Sequence, residues 1–242
     1  MGRHGTIAGR KAAQDNKRAA IFTKYARAIM VAAKAGADPS YNASLRTAIE
    51  KAKSISMPKD KIEQAVKKGS GQLEGESYEE ARFEGYGPSG VAVIVDVLTD
   101  NMNRTTSAVK HIFDRFGGNM GAPGCVSYMF ERKGVILIEK SVSDEDSIME
   151  AGLDAGLEDV IDAEDYWEVR TAPDDLIAVV DALQAAGIGN EEADVEFIPS
   201  IEAVPKDDHA LKSLSKMVDA FDENDDVQKV YNNSSVELVY EY

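Results

Sequence analysis

The hydrophobic pattern of this chain changes its period near residue 77, and that change constrains the fold more than any single motif. Before it, apolar residues recur at spacings of three and four, as on helices with one buried face. After it, short apolar runs such as Val91–Val95 alternate with further helical segments, as in strands that pack against helices. This order predicts an α+β chain that begins with a helical domain.

Three amphipathic helices are predicted within the first seventy residues. Gly36 and Gly69 end the first and third, and Pro58 begins the third, which are positions that Gly and Pro favour at helix ends. The residues predicted to be buried are Phe22, Ala26, Ile29 and Ala33 in the first helix, Leu45, Ala48, Ile49 and Ala52 in the second, and Ile62, Ala65 and Val66 in the third. They predict a three-helix domain.

The rest of the chain predicts two α/β domains of ferredoxin-like type. Strands at Val126–Glu131 and Val135–Glu139 are predicted as separate, and Asn103 is the predicted N-cap of the helix before them. From Val135 to Ile198 the predicted order is β-α-β-β-α-β, that of a ferredoxin-like unit.

The last predicted helix and strand have no sheet of their own. We expect them to return to the middle domain, which leaves the ferredoxin-like unit as an insertion in it. The predicted domains are residues 1–76, residues 77–132 with 203–242, and residues 133–202. Three consecutive domains are the alternative.

Charge divides the chain in the same place. The first seventy residues hold fifteen Lys and Arg against five Asp and Glu, whereas the remainder holds twelve against thirty-eight. The overall charge of −16 therefore averages a basic head and an acidic body. A basic head predicts an anionic partner. The acidic body predicts either contact with a protein or orientation of the chain by repulsion from the nucleic acid.

A basic stripe runs along the first predicted helix. Arg10, Lys17 and Lys24 are seven residues apart and lie, with Arg27, opposite the apolar face. Cations on one face neutralise phosphates and give affinity without reading the base sequence. An ordinary solvated surface is the alternative. The predicted nucleic-acid contacts are Arg10, Lys11, Lys17, Arg18, Lys24, Arg27, Lys59, Lys67 and Lys68.

The sequence offers no constellation for catalysis, a cofactor or a metal. His4, His111 and His209 fall in separate elements, and Cys125 has no base nearby in sequence. Gly85–Gly90 matches G-x-G-x-x-G, but a strand follows it and Pro88 removes a donor, which favours a shaped loop over a nucleotide site. The single cysteine and the absence of a long apolar run predict a cytoplasmic protein without a membrane span.

Several stretches together resemble the YebC/PmpR family of bacterial proteins. They are Arg10–Asp15 with Ile21–Lys24, Met57–Asp60, Glu84–Gly90, Asn103–Thr105, Gly117–Asn119, Val126–Phe130 and Asp226–Tyr231. The family usually begins with a stretch similar to Gly-His-Ser-Lys-Trp-Ala-Asn, whereas Gly2–Gly9 of this chain contains no Trp. The resemblance otherwise spans nearly the whole chain in consistent order.

The resemblance implies a cytosolic protein with a helical domain followed by two α/β domains. It implies a non-enzymatic, DNA-binding transcriptional regulator, without a cofactor. The alternative that the family also implies is a ribosome- or RNA-associated translation factor that relieves stalling on proline-rich sequences. From the residues alone, an adaptor with a basic head that docks an acidic protein also stays open.

Loops of the acidic body are the candidates for contact with a partner. Asn103 and Arg104 are candidates through the resemblance, and the glycine-rich loops are either tight returns between elements or surfaces presented to a partner. The residues of these loops are Gly87, Pro88, Gly117, Gly118 and Asn119.

Overall fold

The computed structural model describes residues 18–74 and 77–238, including their side chains except those of residues 18–20 and 43. Its helices are α1 (Arg18–Ala33), α2 (Ala43–Ser54), α3 (Lys59–Gly69), α4 (Met102–Arg115), α5 (Glu145–Gly152), α6 (Leu176–Ala185) and α7 (Asp208–Asp222). Its strands are β1 (Glu79–Tyr86), β2 (Ala92–Thr99), β3 (Asn119–Met120), β4 (Phe130–Glu139), β5 (Leu157–Ala163), β6 (Tyr166–Thr171), β7 (Glu192–Pro199) and β8 (Val227–Asn232). The predicted α+β class is confirmed, with helices followed by two antiparallel sheets.

The helical head, defined here as α1, α2 and α3, has its own apolar core. Ile29, Leu45 and Ala52 are fully buried in it, and Ile62 and Ala65 of α3 nearly so. Asn42 joins two helices, because its Oδ1 accepts the Leu45 N–H at 3.1 Å while its Nδ2 donates to the Ala32 carbonyl at 2.8 Å. The amide thus begins α2 and closes the end of α1.

Helices α1 and α3 run parallel and cross closely. Lys61 lies over the Phe22 ring, with 5.3 Å from its Nζ to the centroid, and eight residues further on Gly69 meets Met30. A Cβ on Gly69 would lie 2.6 Å from Met30 Cα, a separation that real Cβ atoms do not tolerate. Glycine is therefore required there by packing.

The first sheet has the strand order β3-β1-β2-β8, all antiparallel. Helices α4 and α7 pack on it, and Phe113 and Phe221 meet edge to face with centroids 5.1 Å apart. The C-terminal strand β8 pairs with β2, so the end of the chain returns to the sheet begun by β1.

The second sheet has the order β5-β6-β4-β7, and α5 and α6 pack on one of its faces. This is the predicted β-α-β-β-α-β unit. The described chain divides into two compact units, Met129–Ile201 and the residues on either side of it. The exact boundaries of a three-domain division stay a prediction.

Two local predictions were wrong. The helix after β2 is capped by Asn101, whose Oδ1 accepts the Arg104 N–H at 3.1 Å, so Asn103 lies inside the first turn. The strands predicted at Val126–Glu131 and Val135–Glu139 are one strand, β4, which a short 3₁₀ turn at Ser127–Met129 precedes. Charged residues separate the two apolar runs in the sequence and so suggest two strands. The continuity of β4 follows from its pairing with both β6 and β7.

Among the described residues, no helix is both long and apolar enough to cross a membrane.

The close crossing of α1 and α3 predicts that Gly69→Ala destabilises the helical head. Ala is favoured over Gly in helices by up to about 1 kcal/mol, but overpacking costs about 1–3 kcal/mol, so the clash outweighs propensity. We expect faster hydrogen exchange of the α1 amides in the variant. Gln64→Ala, at an exposed position of the same helix, is the control. Exchange at the wild-type rate in Gly69→Ala would contradict the packing.

Candidate nucleic-acid interface

Among the described side chains of the helical head, the exposed cations lie on α2 and α3. Lys59, Lys67 and Lys68 are exposed, as predicted for phosphate contacts, although the contacts themselves stay a prediction. The Lys59 side chain is 86% exposed and lies 3.7 Å from Glu63. The residues Arg46, Lys53 and Lys61 are exposed on the same two helices. The spacing of seven between Lys61 and Lys68, and between Arg46 and Lys53, places each pair on one side of its helix.

The stripe on α1 has a different environment. Lys24 and Arg27 do lie opposite the apolar face, as predicted, but that side of the helix packs against loops of the first sheet. The Arg27 side chain is only 11% exposed to solvent. Arg10, Lys11 and Lys17 lie outside the described residues, and so does the side chain of Arg18.

Arg27 forms an ion pair with Asp226, the residue just before β8. Arg27 Nη1 donates to Asp226 Oδ1 at 2.9 Å, and the same nitrogen also donates to the Asp225 carbonyl. The guanidinium lies 5.2 Å from the centroid of the Tyr78 ring. Because the Asp226 side chain is only 7% exposed, this is a nearly buried ion pair.

Two residues of α4 complete the network. Arg104 Nη2 donates to Asp226 Oδ2 at 2.9 Å and to Asp100 Oδ1 at 2.8 Å. The Thr105 hydroxyl donates to Asp226 Oδ2 at 2.7 Å and lies 2.7 Å from Thr99 Oγ1. We name Arg27, Thr99, Arg104, Thr105 and Asp226 the Asp226 network. It contacts α1, the end of β2, α4 and the start of β8.

The network keeps the Asp226 carboxylate ionised. Burial by itself would raise the pKa of Asp226, but hydrogen bonds from Thr105 and Arg104 and the charges of Arg27 and Arg104 outweigh it and lower that pKa below its ordinary value. The same contacts raise the pKa of Arg104. Both groups therefore stay charged at neutral pH.

Lys24 of α1 and Lys34, the first residue after α1, bind backbone carbonyls at the end of α7 and just before β1. Lys24 Nζ donates to the carbonyl of Asp222, the last residue of α7, at 3.1 Å, where the negative end of the helix dipole favours a cation. Lys34 Nζ donates to the Tyr78 carbonyl and, at 3.3 Å, to Ser77 Oγ. Lys24 and Arg27 of α1 and Lys34 just after it thus bind other parts of the protein.

The predicted partner loops fall at the two ends of the first sheet. Gly118 lies against the first glycine-rich loop, since a Cβ on it would lie 2.5 Å from the Tyr86 carbonyl oxygen and 3.1 Å from Gly87 Cα. Asn119 pairs with Tyr86, and Gly87 and Pro88 are buried while Gly117 and Asn119 are exposed. The structure therefore brings Gly87, Pro88, Gly117, Gly118 and Asn119 together.

Asn103 and Arg104 lie at the opposite end of the sheet. There Asn103 is exposed, and Arg104 belongs to the Asp226 network.

A buried carboxylate that the sequence analysis missed organises the loop after β3. Glu84 is 6% exposed and accepts the N–H groups of Gly124, Val126 and Ser127 at 2.9, 3.0 and 2.9 Å. Burial raises the pKa of Glu84, but the three backbone donors more than offset it, so the pKa lies below its ordinary value. Its place beside Phe83 on β1 gave no sign of this role, because a charged residue next to an apolar one in a strand is ordinarily expected to face solvent.

Within residues 18–74 and 77–238, no group of three or more His, Cys, Asp or Glu side chains is placed to hold a metal ion.

Comparison with known proteins covers both halves of the chain. Residues 3–72 match the model described as TACO1/YebC protein N-terminal domain, and residues 78–234 match that described as TACO1/YebC second and third domain. A probable transcriptional regulatory protein of Clostridioides difficile is 52% identical over 240 residues, covering 98% of this chain and all of the relative. Another, from Persephonella marina, is 51% identical, covering 94% and 92%.

A solved structure has the same fold. The crystal structure of a conserved hypothetical protein, Aq1575, from Aquifex aeolicus is similar with a TM-score of 0.86 at 42% identity. The match covers 94% of this chain and 95% of that one.

The buried Glu84 carboxylate predicts a pH-dependent effect of Glu84→Gln. At pH 7 the variant should lose about 2 kcal/mol, because an amide accepts fewer of the three backbone N–H bonds and these bonds to a charged acceptor are strong. The depressed pKa of Glu84 contributes stability that is complete above the ordinary Glu pKa of about 4.3 and is lost as the pH falls through the folded value.

The measurement is urea unfolding of both proteins between pH 7 and about pH 2.5. The difference in unfolding free energy should stay constant above about pH 4.3, the ordinary Glu pKa, and narrow below it. Glu80→Gln, at an exposed position of the same strand, is the control and should match the wild type. A constant or widening difference would show that the charge of Glu84 does not stabilise this loop.

Proposed function

The chain belongs to the TACO1/YebC family, and on that premise we propose that it is a non-enzymatic, DNA-binding transcriptional regulator in the cytoplasm. Its relatives carry the name of probable transcriptional regulatory proteins, which supports a regulatory role. The single observation that carries nucleic-acid binding is the exposed set of cations on α2 and α3 of the helical head.

The proposed contact is with the phosphate backbone. Lys59, Lys67 and Lys68 reach outward on flexible stems, and each phosphate that they neutralise releases condensed counterions. Lysine side chains of this kind give position and affinity but read no bases. Lys24 and Arg27 already bind carbonyl and carboxylate groups of the protein itself, so the proposed interface is centred on α2 and α3. The proposed activity requires no cofactor.

The acidic part of the chain has a separate proposed role. Residues 129–201 carry twenty Asp and Glu against four Lys and Arg. This density repels phosphates, so we propose that the unit contacts a protein partner rather than nucleic acid.

Removing three exposed lysines of α3 tests the phosphate interface. The variant Lys59→Ala/Lys67→Ala/Lys68→Ala should bind duplex DNA at least about tenfold more weakly. Its slope of log K against log salt should fall by about three, one for each lost phosphate contact. The measurement is fluorescence anisotropy with a labelled duplex across salt concentrations.

The matched control removes the same charge elsewhere. Lys110→Ala/Lys212→Ala/Lys216→Ala deletes three exposed lysines from α4 and α7 and should keep most of the affinity and slope. Equal losses in the two triple variants would contradict an interface on the helical head.

One observation favours the second candidate, an RNA-associated factor that acts in translation. Tyr41 of the helical head is 93% exposed, just before the cap of α2, and Arg46 is exposed on the second turn of that helix. An exposed ring beside cations is suited to stack on an unpaired base, which a continuous duplex does not offer.

A comparison of Tyr41→Ala with Tyr41→Phe separates the two candidates. Stacking is worth about 1–3 kcal/mol per base, so loss of the ring should weaken binding to an RNA stem-loop at least about fivefold and leave duplex DNA binding unchanged. Tyr41→Phe keeps the ring and should behave as the wild type. If Tyr41→Ala binds the stem-loop as well as Tyr41→Phe does, Tyr41 does not stack on a base.

A further inference from the structure

We propose that Asp226 is a positioning residue, which fixes the helical head against the first sheet so that α2 and α3 present their cations to nucleic acid. This inference rests on the proposed function for its consequence in binding. The fixing itself can be tested without any nucleic acid.

The first reason is the number of segments that meet at one carboxylate. Both oxygens of Asp226 are used, with Arg27 of the head on Oδ1 and Arg104 and Thr105 of α4 on Oδ2. The backbone of Asp226 takes part too, since its carbonyl accepts the Leu98 N–H at 2.8 Å. The first sheet and α4 therefore hold Asp226 in place independently of Arg27.

The second reason is burial. Thr99 and Thr105 are 1% and 0% exposed, and both Asp226 and Arg27 are close to fully buried. A buried ion pair adds little by itself, but removing one partner leaves an uncompensated charge, which is strongly unfavourable. Arg27 is tied to this one position, because moving the head would separate its guanidinium from the carboxylate that neutralises it.

The third reason is that neighbouring contacts of α1 act in the same direction. Lys24 binds the end of α7 and Lys34 binds the start of β1 through Tyr78, so the helix is held on both sides of Arg27. Lys24 and Lys34 bind uncharged acceptors, two carbonyl groups and the Ser77 hydroxyl. The contact of Arg27 with Asp226 is the buried, charged one and so contributes most to the orientation.

A fixed head also prevents self-neutralisation. A basic head on a loose tether would meet the chain's own excess of carboxylates at a high effective concentration, and these would compete with phosphates. Holding α1 in place keeps the cations of α2 and α3 directed outward.

The direct test is a distance measurement in the free protein. Spin labels are placed at Ser54→Cys on α2 and Lys110→Cys on α4, both exposed, in a Cys125→Ser background. The labelled protein with native Asp226 should give one narrow distance distribution, and Asp226→Asn should broaden it at least about twofold. Asp225→Asn is the matched control, because it removes the same charge from an exposed neighbour.

A second variant guards against misfolding of the first sheet. Arg27→Met removes the head side of the contact and leaves Arg104 and Thr105 on Asp226, so the sheet keeps its own bonds. It too should broaden the distribution while circular dichroism stays unchanged. Distributions as narrow as that of native Asp226 in both variants would overturn the proposal.

The binding arm separates this proposal from the proposed function. Asp226→Asn should bind duplex DNA about threefold to tenfold more weakly at low salt, and Asp225→Asn should bind as the wild type. Tighter binding by Asp226→Asn would overturn the positioning role, because the contact would then occlude the head. If Lys59→Ala/Lys67→Ala/Lys68→Ala binds duplex DNA as tightly as the wild type, the proposed function is contradicted, but the distance measurement still tests whether Asp226 fixes the head.

Discussion

The position of the helical head against the first sheet depends on the Asp226 carboxylate. Its charge is buried, and a buried charge is tolerated only with close partners of opposite charge and complete hydrogen bonding. Those partners come from α1 and α4, far apart in sequence, with Thr99 of β2 beside them. The requirement to satisfy one carboxylate thereby links the helical head, the first sheet and the C-terminal strand.

This linkage divides the cations of the head into two groups with different roles. Lys24 and Arg27 of α1, with Lys34 just after it, bind carbonyls and a carboxylate of the protein, whereas the exposed lysines of α2 and α3 face solvent. The first group supplies orientation and the second supplies the proposed affinity for phosphate. Lys24 and Arg27 of the predicted basic stripe therefore serve contacts within the protein.

Much of the fold was predictable from local patterns. Helical spacing gave the three head helices, and the β-α-β-β-α-β order gave the second sheet, because both depend on short-range periodicity. Lys24 and Arg27 of the predicted stripe were also placed on the correct side of α1. Their burial depended on packing against residues 222–226, which lie about two hundred positions away and which no local pattern reports. Glu84 escaped notice for the same reason, since its donors lie forty residues later.

The claim that α2 and α3 form the binding face is tested most directly by lysine footprinting. The protein is acetylated with and without saturating duplex DNA, and the modified lysines are identified by mass spectrometry. We predict that DNA protects Lys59, Lys61, Lys67 and Lys68, that Lys24 reacts slowly in both samples, and that Lys110, Lys212 and Lys216 react equally in both. Protection of the last group without protection of α3 would contradict the account.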